Sequence, residues 1–422
     1  MAAKKWTILV YLAGDNNLDE DGARDIAEMA KVGSTNDINV VVQFDRAGTV
    51  GTQRFYITKG GGYDKDSIAN LGETNTGDPK VLIDFLKWGI TTYPAERYMA
   101  VLWNHGSGWN EDEIYDKALK LSPEKDKLLP TSKRVFREKK IRKTMFSTSL
   151  EEILKQEPSV RAILYDDESK DFLDNAEMKN VLSEAAKFTP NKRFDIIGFD
   201  ACLMNTIEVD FQLKDTARII VGSEETEPGA GWPYDKVLAA IAANPNMSPE
   251  EFATVIVDSY IKSYDSGANS EPVTMAAVNL EKIPAVIASI NKWADLLKKN
   301  ISNKETFYTV LQCGEMVQKF YYQTYKDIFD FSRILKESSK SKDIQDASAA
   351  VMEILKPGDG NFVIAAKSLT SNMGKAHGVS IYFPGRQSYL KYYDKLDFSR
   401  KSKWNEFVKA YQKTYDTIRG VI

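Results

Sequence analysis

The sequence predicts an α/β fold with a mostly parallel central sheet, followed by a mainly helical C-terminal region. Three observations lead to this prediction. The first part of the chain contains six short apolar runs that are continuous rather than alternating, which is typical of strands buried on both faces of a parallel sheet. Helical patterns separate most of these runs. After about residue 247 helical patterns dominate, and no internal repeat is present.

The six apolar runs are the predicted strands of the sheet, which are Trp6–Leu12, Ile38–Phe44, Tyr98–Trp103, Arg161–Tyr165, Phe194–Phe199 and Ala217–Gly222. Gln53–Thr58, followed by three glycines, predicts a small antiparallel hairpin at the side. Helices are predicted between the strands at Pro79–Trp88, Asn175–Lys187 and Thr206–Leu213. The first of these begins with Asp78 as its N-cap and proline at its first position.

The division of the chain follows this change of pattern. We predict that residues 1–247 form the core of the fold and that residues 248–422 form a mostly helical region that returns one or two strands to the sheet. Ser248-Pro249-Glu250-Glu251 is a strong helix start, because serine is an N-cap and glutamate follows three positions later. The apolar runs of this region are Asn361–Ala366 and Gly378–Phe383, and a last helix is predicted at Trp404–Tyr415.

Composition and charge exclude several classes of protein. The 56 Lys and Arg against 60 Asp and Glu give a formal charge of −4, which offers no electrostatic case for a nucleic acid partner. Two cysteines allow at most one disulfide. The sequence contains no Cys-x-x-Cys or His-x-x-x-His spacing, so a zinc site is not expected. The sequence contains no run of about 18 apolar residues, so no membrane-spanning segment is expected. The start enters a strand-like run without a signal segment, so we expect either a cytoplasmic protein or one whose secretion signal is missing from this sequence.

Two of the predicted strands lead into residues that indicate cysteine chemistry. Tyr98–Trp103 runs directly into His105, and Phe194–Phe199 runs into Cys202. In open parallel sheets the ligand crevice forms beyond the carboxyl ends of the strands. A cysteine nucleophile needs a base for its proton, and histidine is the usual partner. Either residue alone would more often be structural, but together they predict a catalytic pair, with the N–H groups of Gly106 and Cys202 as an oxyanion hole.

The other histidine and the other cysteine lack this setting. His377 precedes a predicted strand, at the amino end, which is the wrong end for a crevice. Cys313 lies in a helix-like stretch, Thr309–Phe320. We expect both to be structural.

Residues 117–143 differ in charge from the rest of the chain. They contain eleven Lys or Arg against three acidic residues, a local charge of +8, and two prolines. The segment connects two predicted core strands. It is either a solvated surface loop or a functional segment.

Four sequence blocks resemble the clostripain family of cysteine peptidases. They are Tyr11–Leu18 (YLAGDNNL), Trp103–Trp109 (WNHGSGW), Gly198–Met204 (GFDACLM) and Ser223–Trp232 (SEETEPGAGW). Their order and strand context match the family, and they are specific in combination, whereas the resemblance over 248–422 is weaker. The resemblance implies a caspase-like three-layer α/β sandwich, a His–Cys dyad and cleavage after basic residues.

The resemblance also implies roles for individual residues. The base is His105, the nucleophile is Cys202, and the pocket for the residue before the scissile bond contains Asp200, Thr226 and Asn16 or Asn17. A buried carboxylate at Asp200 needs a cationic partner, which a substrate Arg or Lys would provide. A helix-capping role remains the alternative for Asp200. Ala230 stands where many relatives have a polar or acidic residue, which would broaden the preference for basic residues.

Activation by cleavage between the His and Cys blocks is a further implication of the resemblance. The basic segment lies there, and a peptidase that cuts after Lys or Arg would find its own substrate in it. We predict a zymogen that cleaves itself within residues 117–143, and we favour the part that contains Lys133, Arg134, Arg137, Lys139, Lys140, Arg142 and Lys143. The competing interpretation is a basic loop without a regulatory role.

These observations together predict a monomeric cysteine endopeptidase that cleaves polypeptides after Arg or Lys, with no nucleic acid or membrane partner. We expect that no cofactor is required. Some relatives need calcium, but no Asp-x-Asp-x-Asp-Gly loop in this sequence supports a calcium site, so a calcium requirement is left open. One alternative is an inactive caspase-like binding or scaffold module, disfavoured by the presence of the dyad and Asp200. Another is a small-molecule hydrolase or nucleotide-binding protein, which lacks Gly-x-Ser-x-Gly, Gly-x-Gly-x-x-Gly and a phosphate loop.

Overall fold

The computed structural model describes residues 3–48, 51–109, 163–166, 171–173, 175–267 and 270–419. Its strands are β1 (Lys4–Gly14), β2 (Ile38–Arg46), β3 (Gly51–Tyr56), β4 (Ser67–Gly72), β5 (Ala95–Trp103), β6 (Ile163–Asp166), β7 (Asp171–Leu173), β8 (Phe194–Asp200), β9 (Ala217–Gly222), β10 (Thr274–Asn279), β11 (Tyr325–Asp327), β12 (Val363–Ser368) and β13 (Ser380–Tyr382).

Helices connect most of these strands. They are α1 (Asp19–Met29), α2 (Tyr63–Asp66), α3 (Pro79–Thr92), α4 (Asn175–Ala186), α5 (Ile207–Leu213), α6 (Tyr234–Ala243), α7 (Pro249–Tyr264), α8 (Ile283–Asn300), α9 (Lys304–Met316), α10 (Ile328–Ser338), α11 (Lys342–Leu355), α12 (Asp397–Lys401) and α13 (Trp404–Arg419). Over the described ranges, none of the helices combines the length and apolar character that crossing a membrane requires.

Nine strands form one central sheet in the order β12-β10-β9-β8-β5-β1-β2-β3-β4. The five middle strands, from β9 to β2, are parallel. The strands at both edges are antiparallel to their neighbours. The predicted α/β fold with a mostly parallel sheet is therefore confirmed.

Both faces of the sheet are buried, which explains the continuous apolar runs. Leu9 and Tyr11 of β1 belong to a core that also contains side chains of α3, α4 and the helices after residue 282. The alternate residues Ile8 and Val10 belong to a second core with side chains of α1, α6 and α7. Successive strand residues point to opposite faces, so each face carries a layer of helices. The predicted three-layer sandwich is thereby confirmed.

Two predicted elements of the first half lie elsewhere than expected. Arg161–Tyr165 was expected in the parallel sheet, but β6 pairs with β7 in a separate two-stranded antiparallel sheet. An apolar run indicates burial and does not specify the partner strand, and here the partner comes immediately afterwards in the sequence. The hairpin at Gln53–Thr58 was expected at the side, but β3 continues the main sheet, in which it pairs antiparallel with β2 and with β4.

The C-terminal half returns two strands to the sheet, β10 and β12, and only β12 comes from one of the two runs that the sequence singled out. Asn361–Ala366 corresponds to β12, which is an edge strand as expected. Gly378–Phe383 corresponds to β13, which pairs instead with β11 in a separate ribbon. Strand β10 (TMAAVN) was not predicted. Its two alanines and methionine favour helix, and only pairing with β9 and burial in the sheet make it a strand.

A fully buried carboxyl group lies where α5 meets the C-terminal half. The Glu208 side chain accepts hydrogen bonds from the backbone N–H of Tyr382 at 3.0 Å and from the hydroxyl of Tyr393 at 2.8 Å. Burial nevertheless dominates, and it raises the pKa of Glu208 to about 7. Glu208 thus holds a proton at pH values where an exposed glutamate has lost its own.

This raised pKa predicts how stability depends on pH. A carboxyl whose pKa is higher in the folded than in the unfolded chain destabilises the fold as pH rises through the interval from about 4.5 to 7, by about 3 kcal/mol in total. Glu208→Gln keeps the acceptor oxygen and removes the titration, so its free energy of unfolding should fall less between pH 5 and pH 8. Urea unfolding at both pH values measures this, with exposed Glu353→Gln as control. An unchanged pH dependence in Glu208→Gln would contradict the expectation.

Candidate active site

Hydrogen bonding between β5 and β8 places the His105 and Cys202 blocks side by side. Trp103 and Asp200 are paired residues at the ends of these parallel strands. The pairing continues for one residue, because the N–H of Asn104 donates to the carbonyl oxygen of Asp200 at 3.3 Å. His105 and Cys202 therefore occupy equivalent positions, two residues beyond the last strand pair. Both side chains are buried.

Gly106 packs directly against the backbone of the cysteine. A Cβ atom at this position would lie 2.5 Å from the carbonyl oxygen and 3.1 Å from the nitrogen of Cys202. No residue other than glycine fits so close to a neighbouring main chain. The backbone segments that carry the two N–H groups of the predicted oxyanion hole therefore lie against each other.

A second loop, residues 223–232, covers the cysteine. The Sγ of Cys202 accepts a hydrogen bond from the N–H of Glu227 at 3.3 Å. The N–H of Leu203 donates to the carbonyl oxygen of Glu225 at 3.1 Å. Leu203 has a φ of 64°, which is a rare conformation for a bulky residue and stores strain immediately after the cysteine. This strained turn directs the chain from the end of β8 into the site.

Asp200, the last residue of β8, is fully buried. Its Oδ2 accepts hydrogen bonds from the N–H of Trp232 and from the hydroxyl of Tyr234, both at 3.1 Å. The helix-capping alternative for Asp200 is wrong, because the side chain of Thr206 caps α5 by accepting from the N–H of Val209. Asp200 instead fixes the end of the 223–232 loop.

Two further buried carboxyl groups, those of Asp25 and Glu227, contribute to the negative potential around Asp200, and no sequence pattern indicated Asp25. Burial raises the pKa of the Tyr234 hydroxyl well above its usual range, and the charges of Asp200, Asp25 and Glu227 raise it further. The pKa of the Tyr264 hydroxyl is also raised, mainly by burial and in addition by the charges of the same three acids. Asp25 comes from α1, so only the packing of that helix brings it here. A region with this potential favours a cation.

The remaining predicted pocket residues lie in the loops that border the site. Thr226 is half-buried next to Glu227, and its N–H donates to Oε1 of Glu225 at 2.7 Å. Asn16 is buried, and its Nδ2 lies 3.3 Å from Oδ1 of Asn104. Asn17 has a different contact: its Oδ1 lies 2.8 Å from Nε2 of His105. The structure thus brings Asn17 to the imidazole, a contact that the resemblance did not imply.

Residues of the C-terminal half support the loop that carries the histidine. The hydroxyl of Tyr325 donates to the carbonyl oxygen of Ser107 at 2.7 Å. The ring of Trp109 is buried against Tyr325, Tyr382 and Tyr393, with centroid distances of 5.6, 4.8 and 4.9 Å. No sequence pattern indicated these contacts, because they join residues more than 200 positions apart.

The second cysteine and the second histidine lie in other surroundings. Cys313 is buried in α9, and burial raises the pKa of its thiol to about 11, which makes it a poor nucleophile near neutral pH. His377 stacks on Phe329 with a centroid distance of 4.2 Å, and its Nδ1 lies 3.6 Å from Oδ1 of Asp327. Both make the structural contacts that were expected of them.

The predicted processing segment, including Lys133, Arg134, Arg137, Lys139, Lys140, Arg142 and Lys143, lies outside the described residues. Within the described part of the chain, no group of three His, Cys, Asp or Glu side chains is arranged to hold a metal ion.

The chain is similar to known proteins over most of its length. The model of the clostripain family matches residues 10–121 and 151–411. Clostripain from Hathewaya histolytica is 24% identical over 458 residues, which cover 92% of this chain and 77% of that protein.

Solved structures show the same fold. A secreted C11 cysteine protease from Bacteroides thetaiotaomicron, in complex with an irreversible peptide inhibitor, is 22% identical with a TM-score of 0.64, covering 95% of this chain and 99% of that chain. An inactive zymogen C11 protease from Parabacteroides distasonis is 18% identical with the same TM-score and the same coverage. Most of this chain is thus accounted for by one family, and the match includes all four sequence blocks: the chain belongs to the clostripain family and is a cysteine-type endopeptidase.

Proposed function

We propose that this enzyme cleaves polypeptides after Arg or Lys through a His105–Cys202 dyad. The observation that supports the dyad most directly is the register of β5 and β8, which sets both residues two positions beyond paired strand ends. Cys313, the other cysteine, has a thiol whose pKa burial raises to about 11, so little thiolate is present near neutral pH. His377 contacts Asp327 and Phe329 instead of a cysteine.

These positions define the proposed reaction. The Cys202 sulfur bonds to the carbonyl carbon of the substrate as its proton passes to His105. The N–H groups of Gly106 and Cys202 stabilise the resulting oxyanion. His105 gives the proton to the leaving amine as the peptide bond breaks, which leaves a thioester. Water then attacks the thioester, its proton passes through His105 back to the sulfur, and the free acid leaves.

The preference for basic residues is proposed from the charge around the site. Asp200 precedes the nucleophile by two positions, and Asp25 and Glu227 add to the negative potential on the Tyr234 hydroxyl. A substrate guanidinium or ammonium group would compensate these buried charges. The two additional acids also offer a replacement for the acidic side chain that Ala230 does not supply.

One assay tests the reaction and its specificity together. Peptide amides with Arg, Lys, Asp or Leu before a fluorogenic leaving group are incubated with the wild-type protein. We expect cleavage of the Arg and Lys peptides only, at a rate that EDTA does not change. The enzyme should elute as a monomer in size-exclusion chromatography. Cleavage after Asp or Leu would refute the specificity, and loss in EDTA that calcium restores would reveal a metal requirement. No cleavage by fully processed protein would favour the inactive binding module.

We also propose that the protein is made as a zymogen and is activated by cleavage within residues 117–143. The segment carries eleven basic residues and connects the strand before His105 with the later part of the chain. Cys202 is fully buried, as expected of a precursor, and an inactive zymogen is known among the relatives of the same fold. The two products would remain associated, because β5 and β8 are neighbours in one sheet.

Incubated wild-type protein should give two fragments on a denaturing gel, whereas Cys202→Ala should remain a single band. Replacing all eleven Lys and Arg of residues 117–143 with Gln should leave one chain of low activity, because the cleavage sites are gone. Cleavage of that variant with a different protease, at a site engineered into the segment, should restore activity. Full activity of the uncleaved variant would exclude the zymogen and leave the dyad unaffected.

A further inference from the structure

Asn17 makes a polar contact with the ring of His105. Its Oδ1 lies 2.8 Å from Nε2 of the imidazole. A carbonyl oxygen only accepts hydrogen bonds, so this contact assigns the proton to Nε2. In a neutral imidazole the other nitrogen, Nδ1, is then the basic one. Nδ1 is buried.

The neighbouring asparagine, Asn16, links the two loops on either side of this contact. The Nδ2 of Asn16 donates to Oδ1 of Asn104 at 3.3 Å and to the carbonyl oxygen of Ala13 at 3.0 Å. Oδ1 of Asn104 also accepts from the backbone N–H of His105. This clamp ties the loop after β1 to the loop after β5, two strands that are neighbours in the sheet. The loops on both sides of this contact are therefore held by buried hydrogen bonds of Asn16 and Asn104, while Asn17 itself is exposed.

We propose that Asn17 is a positioning residue for His105: its amide oxygen accepts the Nε2 proton, keeps Nδ1 as the base, and stabilises the imidazolium that forms when His105 takes the proton of Cys202. This inference rests on the proposed dyad. It differs from the role in the substrate pocket that the resemblance implied for Asn16 or Asn17, because the contact lies on the imidazole.

The hydrogen bond strengthens when the imidazole becomes charged, which gives the proposal a measurable signature. Without the acceptor, the imidazolium loses stabilisation, so Asn17→Ala should lower the pKa of His105 by about one unit. Asn17→Asp keeps an acceptor and adds a negative charge, so it should raise this pKa by about one unit. The nearby titratable groups, Asp15 in the same loop and Asp200, Cys202 and Glu227 across the site, are the same in both variants.

The first test does not depend on catalysis. In a Cys202→Ala background, NMR titration of protein containing ¹³C-labelled histidine shows only two imidazole signals, because the chain has two histidines, and His377→Gln identifies the second. We expect opposite shifts of the His105 pKa in Asn17→Ala and Asn17→Asp, and none in the exposed-loop control Asn246→Ala. An unchanged His105 pKa in both Asn17 variants would overturn the proposal, even if the enzyme cleaves peptides as proposed.

The second test uses the active, processed enzyme. Asn17→Ala should lower kcat about tenfold with little change in KM, and the acidic limb of its pH profile, where His105 becomes protonated, should move to lower pH. In Asn17→Asp this limb should move to higher pH. A rise in KM for Arg peptides without a change in the pH profile would overturn the proposal in favour of a substrate-binding role. A wild-type enzyme that cleaves nothing would refute the proposed function, while the NMR result would still decide the role of Asn17.

Discussion

Replacing Cys202 with alanine is expected to reduce turnover of Arg and Lys peptides by roughly 10⁴-fold or more, because no covalent intermediate can form. His105→Ala should have an effect of similar size, since the two residues act as a unit and their effects do not add. Initial rates with purified, fully processed protein measure both losses, and circular dichroism checks the fold. Combining both substitutions should cost little more than either alone.

The matched controls are the other cysteine and the other histidine of the chain. Cys313→Ala and His377→Ala should retain most of the activity, because Cys313 is buried in α9 and His377 contacts Asp327. Cys313→Ala leaves a small cavity, so its unfolding free energy should fall while the rate of cleavage is kept. If Cys202→Ala cleaved peptides at the wild-type rate, the assignment of the nucleophile would be wrong.

The second large effect is expected at Asp200. Asp200→Ala should lose cleavage after Arg or Lys selectively, because a buried substrate cation would have lost its charge partner. Breaking such a pair costs about 3–5 kcal/mol, which corresponds to a loss of several hundredfold or more in kcat/KM. Peptides with Arg, Lys or the uncharged citrulline before the scissile bond measure this selectivity.

Two further variants separate charge from support of the loop. Asp200 also accepts hydrogen bonds from Trp232 and Tyr234, so alanine disturbs the loop as well. Asp200→Asn keeps an acceptor and removes the charge, and it should lose the preference for Arg over citrulline. Tyr234→Phe removes one hydrogen bond and keeps the charge, and it should keep the preference. An Asp200→Asn enzyme that still prefers Arg would identify another acid, such as Glu225 or Glu227, as the determinant.

Much of the fold was predictable because burial on both faces leaves a local pattern. The continuous apolar runs of β1, β2, β5, β8 and β9 predicted strands that the structure confirms. The sequence did not predict β10, whose alanines favour helix, and it misplaced the run at Arg161–Tyr165. In each case the pairing partner decided the outcome, and pairing partners are not encoded within a single segment.

In the candidate site, too, some residues could be predicted from the sequence and others could not. The short blocks around His105 and Cys202 indicated both residues and Asp200 as candidates, because glycines and chemically reactive side chains at strand ends are local features. Asp25 could not be found, since it comes from α1 and approaches Asp200 only after that helix has packed. The role of Asn17 was likewise assigned to the pocket from the resemblance, whereas its contact with His105 depends on how two loops meet.

By itself, the sequence determined the α/β class and the family, and it indicated the two side chains of the proposed dyad. These depend on hydrophobic periodicity and on short motifs, which act over a few residues. Only the tertiary structure decided the strand order, the acids that surround Asp200 and the support of the histidine loop by Tyr325 and Trp109. The physical reason is that these features arise from contacts between residues far apart in the chain, whose energies exist only once the sheet and its two helical layers have assembled.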